Sequence, residues 1–164
     1  MDAIRGLGGL MEFRNFLSSL PAFDGLPAAE LDILVQVMRS EAHSSGYTFF
    51  SQGEPIKTMY VLLEGSVQVT RHDNAGNAID PQELRSGEFF GLLGLVDDVL
   101  ATTTVTATSP VAVACVERDA YRGLFSTAPS VALRLDYMVA VQLARELQYR
   151  NRLLRARMRQ VHPA

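Results

Sequence analysis

Apolar residues in the first forty positions recur at helical spacing. Leu10, Phe13, Leu17 and Leu20 form a stripe that ends before Pro21, where the residue ahead of a proline is pushed out of the helical region. A second stripe, Leu31, Leu34, Val35 and Met38, follows Leu26-Pro27-Ala28-Ala29-Glu30. Pro27 opens this helix, and Glu30 and Asp32 put acidic charge in its first turn, where the helix dipole favours it. Gly6, Gly8 and Gly9 predict a loosely ordered lead-in. From Gly46 the period shortens to two. Residues 47–50, 59–63 and 66–70 are β-branched or aromatic runs between glycines, and 102–107 and 111–116 read as two more strands around Ser109-Pro110. Asp73-Asn74-Ala75-Gly76-Asn77 supplies turn chemistry. After Pro129 the helical period returns for some thirty residues. Leu133, Tyr137, Ala140, Ala144, Leu147, Asn151, Leu154, Met158 and Val161 alternate steps of four and three, a heptad seam with one polar member, Asn151.

Short strands with tight turns, flanked by helices on both sides in sequence, predict an α+β protein: a β-roll or double-stranded jelly roll with N-terminal helices and a long C-terminal helix. The expected division is an N-terminal helical segment at 1–19, the roll at 20–128 and the long helix at 129–164. At about 1.5 Å per residue that helix outreaches a roll of this size, so part of the seam needs a partner. A parallel homodimer supplies it, with Asn151 fixing register; the alternative is a helix folded back on its own roll.

Composition narrows the picture without changing it. The chain has 164 residues, 48% of them hydrophobic, enough for one core, and a formal charge of −3 that announces no polyanionic partner for the whole. One cysteine, Cys115, permits no internal disulfide, and no run of eighteen apolar residues interrupts the chain. The expectation is a cytoplasmic protein without a transmembrane segment.

Five stretches stand out together: 46-GYTFFSQGEP-55 followed by 59-MYVLLEGSV-67, then Leu20-Pro21-Ala22-Phe23, Ser86-Gly87-Glu88-Phe89-Phe90-Gly91, and Val116 to Tyr121. They resemble the cyclic-nucleotide-binding domains of catabolite-activator-like proteins and protein kinase A regulatory subunits. The resemblance implies the roll, a ligand pocket and a C-terminal dimerisation helix. It also implies a phosphate cassette with a glutamate after Phe-Gly and an arginine before an Ala-x-Val-x-Ala strand. Here the pocket candidates are Phe90, Gly91, Leu92, Leu93, Gly94, Ala101, Thr102, Thr103 and Thr104. Leu92 stands where the family's glutamate binds the ribose, and Ala101, or Thr102 with a one-residue shift, where its arginine meets the phosphate. No Arg or Lys occurs between Arg85 and Arg118. Losing two charge-assisted hydrogen bonds, each worth about 1.5–3 kcal/mol, removes two to four orders of magnitude of affinity. With Leu95, Val96, Val99 and Leu100 adding apolar weight, the expectation is a self-filled or hydrophobic pocket and no cofactor, a cyclic nucleotide being disfavoured. Backbone N–H groups from Gly91 to Gly94 and the threonine hydroxyls keep weak or altered ligand binding open.

Catalysis is not expected. His43, His72 and His162 are read as isolated and exposed, Cys115 as a buried inert thiol, and Asp97-Asp98 as a solvated loop tip. Gly6-Leu7-Gly8-Gly9 follows no strand and is a weak phosphate loop. The family's transcription factors carry a helix-turn-helix after the dimer helix; the residues after it here are too few for one, so sequence-specific DNA binding is not expected. What that end carries is Arg145, Arg150, Arg152, Arg155, Arg157 and Arg159 against Glu146. Arg150, Arg152, Arg155, Arg157 and Arg159 are docking candidates for an acidic protein, a polyanion or a membrane surface, against the alternative of a solvated helix surface. The sequence therefore favours a dimeric, non-catalytic scaffold or docking module with a degenerate cassette. The alternative is a small-molecule sensor signalling through the C-terminal helix.

Overall fold

Helix α1 (Leu10–Ser19) ends two residues before Pro21, and a 3-10 turn at Pro21–Phe23 leads to α2 (Ala28–Val37) behind Pro27. These bounds come from a computed structural model that describes residues 9–161. Gly6, Gly8, the start of the Gly6-Leu7-Gly8-Gly9 motif, and His162 lie outside the described residues.

Eight strands follow: β1 (Arg39–His43), β2 (Thr48–Phe50), β3 (Thr58–Glu64), β4 (Ser66–His72), β5 (Ala78–Arg85), β6 (Phe89–Phe90), β7 (Thr104–Ala107) and β8 (Val111–Glu117). They form two antiparallel sheets, ordered β1-β8-β3-β6 and β2-β7-β4-β5. The turn between β4 and β5 is set by Asp73, whose Oδ1 accepts from the N–H groups of Ala75 and Asn77, both at 2.9 Å. Helix α3 (Arg118–Thr127) continues from β8, and α4 (Pro129–Val161) runs for 33 residues.

The period of two along the central strands divides the core. From β3, Leu62 joins Val67, Leu84, Val105, Val111 and Val113 between the sheets. Met59, Val61 and Leu63 point the other way and meet Phe13, Leu17, Leu34, Leu124 and Leu135 of the helices. The helices thus cover the outer face of one sheet, and α1 shares this core. The start of α4 is tied down by groups far away in sequence. Glu30 Oε2 accepts from the Val131 N–H at 3.0 Å, serving one of the otherwise unpaired N–H groups of the first turn. Arg134 donates to the carbonyls of Ala22 and Asp24.

Only the first half of α4 is buried in this chain. Val131, Ala132, Leu135, Val139 and Glu146 face the roll, while every described residue from Asn151 onward is exposed. The heptad positions lie on the outer face: Leu133, Tyr137, Leu147, Leu154, Met158 and Val161 are each more than half exposed, and Ala140, Ala144 and Asn151 are exposed with them. The fold-back alternative does not apply to most of this seam, because the face that meets the roll is a different one; Tyr137 alone among the seam positions also lines the roll's cavity.

Candidate functional site

The turn between β6 and β7 lies flush against β3 because two of its residues have no side chain. Gly91 sits at φ 72°, and a Cβ there would stand 2.8 Å from the Thr58 carbonyl oxygen; a Cβ on Gly94 would meet the Thr58 backbone at 2.7 Å. Arg118 holds the turn from behind. Its Nε donates to the Gly94 carbonyl at 3.0 Å, Nη2 to the Ile56 carbonyl at 2.7 Å and Nη1 to Asp97 at 3.2 Å. Arg122 also pairs with Asp97, so this carboxylate is clamped by two guanidiniums rather than merely solvated.

The turn forms one wall of a cavity of about 820 Å³ that reaches across β4 and β5 to α4. Phe90, Gly91, Leu92, Leu93, Thr102 and Thr103 stand on this wall. Gly94 is buried behind it against Thr58, Ala101 is 4% exposed within the inter-sheet core, and the Thr104 hydroxyl accepts from the Gln52 N–H at 2.9 Å. Of the two positions expected to replace an arginine, Thr102 therefore faces the cavity and Ala101 does not. The expectation of a self-filled pocket needs correction. Leu95 is buried in the helix-side core, and Leu92 and Leu93 stand on the cavity wall, yet the cavity stays open between them and α4.

The cavity also takes charged residues from outside the cassette. Arg71 of β4 and Arg145 of α4 line the cavity with Thr70, Asp80 and Gln82. Arg71 is bidentate on Glu146, Nη1 to Oε1 at 3.2 Å and Nη2 to Oε2 at 2.6 Å, and its guanidinium carbon lies 4.0 Å over the Tyr149 ring. Glu146 is 7% exposed and also accepts from Arg150 Nε at 3.1 Å. Burial pushes the Glu146 carboxyl up, but the hydrogen bonds from Arg71 and Arg150 outweigh it and the net shift is downward. A signal for Arg71 was present: Val67, Val69 and Arg71 alternate along β4, and a strand's period puts them on one face.

The remaining candidates take structural places. Arg150 pairs with Glu146 and Arg152 lies near Tyr149, while Arg155, Arg157 and Arg159 project from the exposed end of α4. His43 and His72 are half-buried rather than exposed. His43 stacks on Tyr47 at 3.6 Å and meets Glu41 at 3.0 Å, because β1 and β2 bring these side chains together. Cys115 is buried, and burial first, then the nearby Glu41 carboxylate, pushes its thiol up, away from the reactive thiolate. Among the described residues, no group of His, Cys, Asp or Glu is placed to hold a metal ion, and no helix is long and apolar enough to cross a membrane.

Comparison with known proteins gives this geometry a setting. The profile described as "Cyclic nucleotide-binding domain" matches residues 41–128. The chain is 31% identical over 127 residues to the cAMP-activated global transcriptional regulator CRP of Pasteurella multocida, covering 74% of this chain and 59% of that protein. It is 28% identical over 133 residues to cGMP-dependent protein kinase 2 of Mus musculus, covering 79% of this chain and 17% of that one. Among solved structures, the catabolite activator protein of Thermus thermophilus superposes with a TM-score of 0.71 at 27% identity, over 82% of this chain and 62% of that chain. The chain spans less than two thirds of the length of each of these three.

Proposed function

The chain belongs to the cyclic nucleotide-binding domain family, and from that premise we propose that it is a non-catalytic regulatory module that works as a homodimer through α4, with a cassette that does not hold a cyclic phosphate in the family's manner. The observation that carries this reading is the face of α4 turned away from the roll. Leu133, Tyr137, Leu147, Leu154, Met158 and Val161 expose between 57% and 73% of their surface along one heptad line. A stripe of that length is stable in water when a second copy covers it. The cassette half rests on Leu92 and Thr102, which face the cavity and offer neither a carboxylate for a ribose hydroxyl nor a cation for a phosphate. The exposed arginines beyond Glu146 suit an acidic protein partner docked on the dimer's basic end, and a lone buried thiol accords with a cytoplasmic setting.

Light scattering of the full chain is expected to give a dimer, and of a chain ending at Gln142 a monomer; a monomeric full chain overturns the dimer. Calorimetry with cyclic AMP and cyclic GMP is expected to give binding weaker than about 10 µM, near −7 kcal/mol; tighter binding overturns the cassette reading. A second reading, a sensor for another small molecule, is favoured by the open cavity of about 820 Å³, a volume typical of ligand sites.

A further inference from the structure

The cavity's cations do not come from the cassette. The cassette wall, with Leu92, Leu93, Thr102 and Thr103, has no ionisable group. The cations come from elsewhere: Arg71, next to the Thr70–Thr104 pair that joins β4 to β7, and Arg145 of α4. Arg71 spends Nη1 and Nη2 on Glu146 and is held rigid by Tyr149 beneath it, which leaves the other N–H donors of its fork uncommitted. Arg145 makes no ion pair among the described residues. Two acids also touch the cavity. Glu88 is committed to its own turn, accepting from the Arg85 N–H at 2.7 Å. Asp80, on β5 beside the bulge between Val69 and Arg71, makes no ion pair among the described residues.

We infer that the cavity seats an anion on its α4 side, on Arg145 with Arg71 behind it, and that its ligand is a small amphipathic anion: one carboxylate or phosphate head on an apolar body that lies against Phe89, Leu92 and Leu93. This deepens the proposed function and rests on its reading of the cassette. Two guanidiniums offer fork-shaped donors that match either head, and burying the apolar body on the leucine wall supplies the rest of the affinity. Asp80, on the same cavity lining, is the carboxylate that opposes an anion there. Because the seat shares Arg71 with Glu146, occupancy acts at the place where α4 is fastened to the roll, and so on the helix that carries the dimer seam.

Calorimetry on the full chain with decanoate, decyl phosphate, decanol and cyclic AMP tests this. Decanoate or decyl phosphate is expected to bind at least about tenfold more tightly than decanol, the scale of one charge-assisted hydrogen bond. The anion that binds best identifies the head group. Arg145→Ala, a change at an exposed position that leaves the fold intact, is expected to abolish the preference for the anion without weakening decanol. Asp80→Asn is expected to strengthen anion binding severalfold, and asparagine accepts the positive φ of 47° at this position. Failure of both anions to bind, equal binding of decanol, or an anion preference that survives Arg145→Ala overturns the inference. Cyclic AMP separates the two levels of argument. Tight cyclic AMP binding lost in Arg145→Ala overturns the cassette reading and supports the seat, whereas tight binding that Arg145→Ala leaves unchanged overturns both.

Discussion

Glu146 is the one charged residue among the buried positions described, and its surroundings explain how a carboxylate is retained there. Its oxygens receive two bonds from Arg71 and one from Arg150, so the desolvation cost is offset by charge-assisted hydrogen bonds. Removing one partner leaves a charge under-compensated. Arg71→Ala is expected to cost about 3 kcal/mol in urea unfolding, at the low end for a buried pair because Arg150 still reaches the carboxylate; a loss below about 1 kcal/mol would class the pair with exposed ones. The pH dependence has a defined sign. The folded-state pKa of Glu146 is depressed, so its contribution is fully present above the ordinary value of 4.5 and is lost as pH falls through the lower folded value. Glu146→Gln has no such group, so the stability gap between the two proteins is expected to be widest near neutral pH and to narrow in acid. Urea midpoints for both proteins across that range measure it, and a gap that stays constant into acid contradicts the assignment.

At the level of elements, α4 carries two stripes at once: Val131, Leu135, Val139 and Glu146 toward the roll, and the Leu133-to-Val161 heptads away from it. Asn151 interrupts the second stripe. Buried in a two-stranded seam, its amide is satisfied only by the matching amide of a parallel partner in register, which costs stability and excludes other arrangements. Asn151→Leu is therefore expected to tighten self-association and to broaden it into a mixture of dimers and larger species. Sedimentation velocity distinguishes this from the single species expected of the parent chain. The exposed stripe was legible in the sequence because no other described residue covers it, so its pattern is undiluted. The strands divide by position. The four inner strands β3, β4, β7 and β8 alternate or bury both faces and announce themselves, whereas the three strands that the sequence pattern missed are edges. Residues Arg39–His43 have no strong apolar member, Phe89–Phe90 is two residues long, and Ala78–Arg85 contains Asp80-Pro81, which an edge tolerates because its proline faces no ladder partner on one side. The same blindness hid how the cavity's charged residues come together. The cassette is one continuous stretch of sequence, while Arg71, Asp80 and Arg145 come from three elements that only the closed roll brings together.

Over the whole molecule, charge is segregated along the axis that the helix defines. Residues 147–161 contain five arginines and no acid; with −3 on the chain and +5 on this segment, the remainder carries −8. In a parallel dimer the two basic ends lie side by side, each at the far end of a helix whose last described turns touch nothing in their own chain. Arg150 is paired with Glu146, which leaves four arginines; like charges at neighbouring positions on helices cost about 0.3 kcal/mol per pair at low salt, so four such pairs oppose association by about 1.2 kcal/mol. An antiparallel pair would reverse the sign, placing each basic end against the acidic remainder of the partner. Raising sodium chloride from about 0.1 to about 1 M shortens the Debye length from about 10 to about 3 Å and removes either effect. The parallel arrangement predicts a dimer dissociation constant that falls by about tenfold over that range, measured by sedimentation equilibrium. A constant that rises with salt would show that the basic end is attracted to its partner, which fits an antiparallel dimer and contradicts the parallel register assigned to Asn151.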